Sequence, residues 1–148
     1  MVKGKFMDDS IWVGQYFQAR EFKCPCCGSN KVHSDLISAL DKVRKSIGVA
    51  IRVNSGVRCE SHNRSIGGAP RSYHLPRDGI GYAADITFER STNKLPLDIV
   101  RLFITAEDVL LGKGGIILYP TWVHVDVRHA LDSNTYRDVS KFPWPRIS

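Results

Sequence analysis

The stretch SYHLPRDGIGYAADI, Ser72 to Ile86, sets an imidazole, His74, and a carboxylate, Asp85, on either side of a loop that Gly79 and Gly81 allow to bend. Further along, WVHVDVR alternates Val123, Val125 and Val127 with His124, Asp126 and Arg128. Side chains of a strand point to opposite faces with period two. The valines therefore share a face that belongs to the core, and His124, Asp126 and Arg128 line the other as the floor of a cleft. Two imidazoles and one carboxylate, His74, Asp85 and His124, make a three-ligand zinc site with its fourth position open. Such a site is the catalytic kind, because zinc lowers the pKa of water to about 7 and polarises a carbonyl. On these residues alone the plain alternative stands beside it: a His–Asp pair also serves as a salt bridge or as part of a polar turn.

A second group of metal-binding residue types lies near the start of the chain. Cys24, Cys26 and Cys27 fall within KCPCCGSN, where C-x-x-C followed by Gly28 resembles a zinc knuckle. Cys59 is the remaining cysteine, and His33 or His62 could serve as a further ligand. Three readings are open. The cysteines Cys24, Cys26, Cys27 and Cys59 hold a structural zinc, a disulfide joins the cluster to Cys59, or the thiols are inert.

The remaining sequence has to position these groups. The length of 148 residues suits one domain over 1–148, with an irregular N-terminal segment over 1–33 and a tail over 130–148. A hydrophobic fraction of 43% with 24% charged residues excludes disordered, collagen-like and coiled-coil chains. No apolar run approaches the ~20 residues needed to span a bilayer. MVKGKFMDDSIWVGQ has aspartates where a signal peptide needs an apolar stretch, so synthesis in the cytoplasm without a signal peptide is expected. The net charge of +6 favours an acidic partner such as nucleic acid, an anionic membrane or a cell-wall polymer. The basic residues are scattered without a block, so nucleic acid is not expected as the partner, and the chain is expected to be a monomer.

Ser34 reads as an N-cap, followed by Leu36, Ile37, Leu40, Val43 and Ile47 at helical spacing and then Gly48, which predicts a helix over 35–47. AIRVNSG predicts a strand, CESHNRSIGG a short helix closed by two glycines, and YAADITF a strand over 82–88. LPLDIVRLFITAEDVLLG predicts a second long helix with Leu97, Val100, Ile104 and Leu110 on one side, Pro96 near its start and Gly112 past its end. GGIILYP and WVHVDVR form a hairpin about Pro120 and Thr121. SKFPWPRIS is an irregular surface tail. The sum is an α+β fold, an antiparallel sheet with helices packed on one side.

In order along the chain, SGVRC with HN, GGAPRSYH, GYAADI, GGIILYP and WVHVDVR resemble the zinc metallopeptidases of the D-Ala-D-Ala carboxypeptidase type. That family includes bacterial cell-wall peptidases and phage endolysins and shares its fold with the hedgehog signalling domain. The resemblance runs from about Glu21 to Arg128. It implies a hedgehog/DD-peptidase-like fold and zinc ligation by His74, Asp85 and His124. It also implies that Arg58 holds a substrate carbonyl or carboxylate and stabilises the oxyanion, and that Ser72 supports the substrate pocket. Asn63 matches the HN pair, and His62, close to Arg58 in sequence, could line the pocket.

Two features depart from the family pattern. Ten residues separate His74 from Asp85, where many relatives have six; an outward bulge of the loop would still let both reach one metal. Several branches carry a carboxylate three residues before the final histidine, and Thr121 stands there instead. Asp126, on the face of His124, is the candidate general base. The alternative is that it orients His124 or pairs with Arg128.

The expected function is zinc-dependent hydrolysis of peptide bonds in peptidoglycan, as carboxypeptidase or endopeptidase, acting at the cell wall or periplasm and resembling a phage lysis enzyme. Two rival expectations remain. One is a zinc-binding domain of the same fold without hydrolytic activity. The other is a small nucleic-acid-binding module built on the cysteine cluster, with strongly salt-dependent binding.

Overall fold

The computed structural model describes residues 6–95 and 97–146. Pro96, expected near a helix start, lies outside the described residues. Helix α1 spans Ser34–Ile47 and buries Leu36, Ala39, Leu40 and Val43. Its N-cap is His33, one residue earlier than expected, whose Nδ1 accepts the Asp35 N–H at 3.0 Å. Strand β1 is Ile51–Ser55, the short helix α2 is Glu60–Ser65, and strand β2 is Ala83–Phe88. Helix α3 (Asp98–Leu110), strand β3 (Gly115–Leu118) and strand β4 (Val123–Asp126) follow.

The strands form one sheet in the order β1-β2-β4-β3, closed at its edge by β5, Tyr136–Asp138. The first four pair antiparallel, as the sequence suggested. β5 pairs parallel with β3, so the sheet is mixed, a correction to the all-antiparallel expectation. The fifth strand falls in the tail over 130–148, ahead of the SKFPWPRIS stretch read as irregular, where no strand was expected. Its anchor is Arg137, whose Nη1 donates to the Gly114 carbonyl at 2.7 Å and Nη2 to that of Lys113 at 2.8 Å, while Nε meets Glu107. Three residues are too few for a periodic signal, and these anchors come from elsewhere in the chain.

The period-two division is clean. Ala84, Ile86 and Phe88 of β2, Ile116 and Leu118 of β3, and Val123 and Val125 of β4 all enter the hydrophobic core, which Val127 extends. Helix α3 lies against β2, β3 and β4 and covers that face, and α1 packs on α3 and shares the same core. The buried stripe of α3 is Ile99, Leu102, Ala106 and Leu110. Leu97 and Ile104, expected on the inner side, are exposed. The helix is amphipathic: Ile99, Leu102, Ala106 and Leu110 recur at spacings of three and four on one face, away from Arg101 and Asp108, and Leu97 and Ile104 lie off that stripe.

The loop between His74 and Asp85 closes on itself. Arg77 and Ile80 exchange backbone hydrogen bonds of 2.8 and 3.0 Å around Asp78 and Gly79, whose φ angles are +52° and +77°. Two central residues with positive φ make a type I′ turn, the tight hairpin for which Asp-Gly is a preferred pair. The Arg77 guanidinium straps the turn to the chain before it, donating to the Ser72 and Leu75 carbonyls at 2.8 and 2.9 Å. The extra residues are thus folded into a hairpin of their own.

A methyl group at Gly79 would meet no atom within 4 Å, so its cost is conformational alone. Gly79→Ala is expected to cost about 1–2 kcal/mol and to lower Tm by roughly 2–8 °C in a thermal melt. An unchanged Tm would rule out the left-handed turn.

Candidate active site

Sheet register brings the first two groups together. Asp85 of β2 stands directly opposite His124 of β4, and both point away from the helix-covered face. His74 arrives from the loop before the type I′ turn. The Arg58 N–H donates to the His74 carbonyl at 2.9 Å, and the Ser72 hydroxyl accepts the His74 backbone N–H at 3.1 Å. Ser72 therefore shapes the backbone at His74 as well as lining the cleft.

The outer partners of each ring decide what its inner nitrogen offers. His74 Nδ1 lies 2.7 Å from the Gly56 carbonyl, which can only accept, so Nδ1 carries the proton. Burial lowers the His74 pKa against the opposing pull of Asp85, so the ring is neutral and Nε2 presents a lone pair. That lone pair faces Asp85 Oδ1 at 3.2 Å. His124 Nε2 lies 2.7 Å from Asp126 Oδ2 and donates to it, which turns Nδ1 toward the same Asp85 Oδ1 at 3.1 Å. Two ring nitrogens and one carboxylate oxygen thus converge, with all three ligand atoms within 4.8 Å of one another.

Three acceptors aimed at one point repel unless a cation or a proton lies between them. The protein alone supplies the proton: burial lowers the His124 pKa, but hydrogen bonds to Asp126 and Asp85 outweigh it and raise it to about 9. Burial also works against the charge on Asp85, yet the two histidines hold its carboxyl well below the usual range. A divalent cation satisfies the same lone pairs without that proton. The donor set, two imidazoles and a carboxylate, is one that zinc accepts.

Asp126 is completely buried, and both of its oxygens are engaged. Oδ1 accepts from the Arg128 backbone N–H at 3.1 Å and from Nε at 2.8 Å; Oδ2 accepts from Arg128 Nη2 and His124 Nε2, both at 2.7 Å. It stands behind His124, on the side of the ring away from Asp85, and does not line the cleft. That placement does not suit a proton shuttle; it suits the alternative, a carboxylate that fixes the ring and tautomer of a ligand histidine. Gly115 of β3 makes the room, since a Cβ there would run into Asp126 and Arg128.

Arg58 reaches the site from the other side. Its Nη2 is 3.6 Å from Asp85 Oδ2, and its Nη1 donates to Asn63 Oδ1 of α2 at 3.1 Å. Arg58, Ser72, His74, Asp85 and His124 all line one open cleft of about 700 Å³. His62 is not among the lining residues; its backbone N–H donates to Cys59 Sγ at 3.4 Å, so it belongs with the cysteines. The four cysteines are free of disulfides.

The sequence reading passed over the aromatic wall. Tyr119 and Trp122 stack with ring centroids 4.4 Å apart at the cleft edge, and Tyr73 and Tyr136 line it on the side of Arg128. The Arg128 guanidinium lies 4.3 Å from the Tyr73 ring centre and 5.2 Å from that of Tyr136. Period two holds the missed signal: Ile117 faces the cleft, so Tyr119, two residues on, follows it. Burial and the Asp85 charge raise the Tyr119 pKa, keeping its hydroxyl a neutral donor.

A family model described as Peptidase M15 matches residues 15–126, well over half of the chain. The chain belongs to the peptidase M15 family. This is the zinc D-Ala-D-Ala carboxypeptidase-type family that the motifs resemble, and M15 peptidases use zinc. The α+β fold agrees with it. No curated protein matches the chain. No helix among the described residues is long and apolar enough to cross a membrane.

Because metal must displace the proton that His124 holds below pH 9, zinc affinity at this site is expected to rise about tenfold per pH unit from 7 to 9 and then level. Chelator competition, taken as the difference between the protein and His74→Ala, measures it. Asp126→Asn is expected to weaken zinc binding there about 10- to 100-fold. Undiminished zinc affinity with a large fall in kcat would restore the proton-shuttle role.

Proposed function

We propose that this M15 peptidase hydrolyses peptide bonds of bacterial peptidoglycan, as a carboxypeptidase or endopeptidase of the D-Ala-D-Ala type. The observation that carries the reading is the convergence of His74 Nε2, His124 Nδ1 and Asp85 Oδ1 beside Arg58 on one cleft. Zinc held by His74, Asp85 and His124 would act as a Lewis acid and lower the pKa of water at the open position.

The chain's own groups suit the rest of the reaction. Arg58 brings a fixed cation next to the ligand set, where its planar fork can bind the carbonyl oxygen as that oxygen gains charge. Asn63 holds one arm of the fork, so the guanidinium is oriented before substrate arrives. Tyr119 offers a neutral hydroxyl to the same cleft. Peptidoglycan stem peptides carry carboxylates, and Arg71 and Arg128 add positive charge to the walls that would receive them. The aromatic wall suits the small apolar side chains of alanine residues. The net charge of +6 suits an anionic wall polymer and the work of an endolysin acting at the cell wall.

One observation favours a second reading, a zinc-binding domain that does not cleave. Asp85 is the only carboxylate among the described residues that line the cleft, Thr121 stands where several branches of the family carry one, and Asp126 has no free oxygen. Purified peptidoglycan decides between them. The peptidase is expected to release peptides or amino acids, with release stopped by a chelator and restored by zinc. Arg58→Lys is expected to lower kcat/KM about 100-fold or more, chiefly through kcat, while keeping its zinc. Full zinc content with no release from any wall preparation would support the non-hydrolytic domain.

A further inference from the structure

The cysteines lie outside the cleft and the peptidase reading does not use them. Cys24 is buried in a tight turn, where its N–H donates to the Ser29 carbonyl at 2.7 Å and its own carbonyl accepts the Gly28 N–H at 2.9 Å. Gly28 closes the turn at φ +83°, which a side chain would strain. Cys59, at the other side of the sequence gap, brings its sulfur to the same place. The sulfurs of Cys24, Cys27 and Cys59 all lie within 4.8 Å of one another. Cys26 is exposed, and its thiol meets that of Cys59.

The backbone around these sulfurs is arranged for negative charge. The Cys59 N–H donates to Cys24 Sγ at 3.4 Å, and the amides of Cys26 and Cys27 point to the same sulfur. The His62 N–H donates to Cys59 Sγ at 3.4 Å. Four neutral thiols need no such set of donors. Four thiolates around a divalent cation do, since the assembly carries net negative charge. Zn–S bonds of about 2.3 Å separate tetrahedral sulfurs by roughly 3.8 Å, a small movement from the distances present.

We propose that Cys24, Cys27 and Cys59, with Cys26 as the fourth ligand, hold a structural zinc that locks the N-terminal turn onto the segment carrying Arg58. Arg58 and Cys59 are neighbours in the chain. The Cys59 carbonyl accepts the Asn63 N–H at 2.9 Å, and Asn63 Oδ1 accepts from Arg58 Nη1. On the N-terminal side, the Phe22 carbonyl accepts the Val57 N–H at 2.9 Å. A metal at the cysteines therefore clamps both flanks of the arginine. The site itself stands apart from the peptidase reading; only its effect on Arg58 rests on that reading.

Metal content and cobalt spectra test it on protein purified under reducing conditions without chelator. The full chain is expected to carry about two zinc equivalents, and His124→Ala about one. Cobalt substituted into His124→Ala is expected to give the intense thiolate-to-metal charge-transfer band that histidine and carboxylate ligands do not produce. Cys59→Ser is expected to lose that band and one equivalent. Should Cys59→Ser fail to fold, His124→Ala decides alone, because its cysteines are intact. Stripping its zinc is expected to lower Tm and expose all four thiols to alkylation. A folded His124→Ala protein without metal, with freely alkylated thiols or with masses showing disulfides, would overturn the proposal. If the thiolate site is present but peptidoglycan is not cleaved, the peptidase reading alone fails.

Discussion

Asp85 Oδ1 has an imidazole nitrogen on each side, at 3.1 and 3.2 Å, and both nitrogens turn lone pairs toward it once their outer partners have taken the ring protons. Three acceptors held this way repel unless a cation, or the second proton that His124 takes up below about pH 9, lies between them, and burial limits the screening that water would give. The fold maintains it nonetheless. Register sets Asp85 opposite His124, the Gly56 carbonyl fixes His74, and Asp126 fixes His124. The centre is thus preorganised for a cation, and each outer partner exists to keep an acceptor aimed inward.

The division of the sheet into two faces follows from the same need. The face that carries Ala84, Ile86, Val123 and Val125 is covered by α3 and buries the apolar surface that holds the domain together. The opposite face is then free of packing duty, and polar groups can occupy it without unsatisfied burial. Asp126 is the most demanding of the buried polar groups there, a fully buried carboxylate that removal of a partner would leave uncompensated. Its two-pronged pairing with Arg128 answers that demand, and the guanidinium in turn rests on the rings of Tyr73 and Tyr136. A chain of contacts therefore runs from the aromatic wall of the cleft to His124.

Much of this was legible in the sequence because it rests on local periodicity. Alternation in WVHVDVR separated the valine face from the histidine face, and helical spacing with Gly48 delimited α1 to within a residue. What escaped rests on partners distant in the chain. β5 is held by Lys113, Gly114 and Glu107 through Arg137. The aspect of Asp126 was only half readable: period two gave its face, but which side of the His124 ring it occupies is a matter of rotamers and of Arg128.

The placement of Asp126 bears on where a proton could go. A carboxylate behind a ligand ring, with four hydrogen bonds already made, tunes the basicity of that ring but has no path to water in the cleft. Thr121 leaves the usual upstream position without a carboxylate. Among the described residues, the polar groups that remain on the cleft beside Arg58 are Arg71, Arg128, Ser55, Ser72, the Trp122 indole and tyrosine hydroxyls. Tyr119 is kept protonated by the neighbouring Asp85 charge and by burial, so it can give a hydrogen bond but is poorly suited to take a proton. On the proposed peptidase reading, the protein would offer fixed positive charge and neutral donors to a developing oxyanion. Stabilisation of charge, more than proton transfer by a side chain, is what such a cleft would provide.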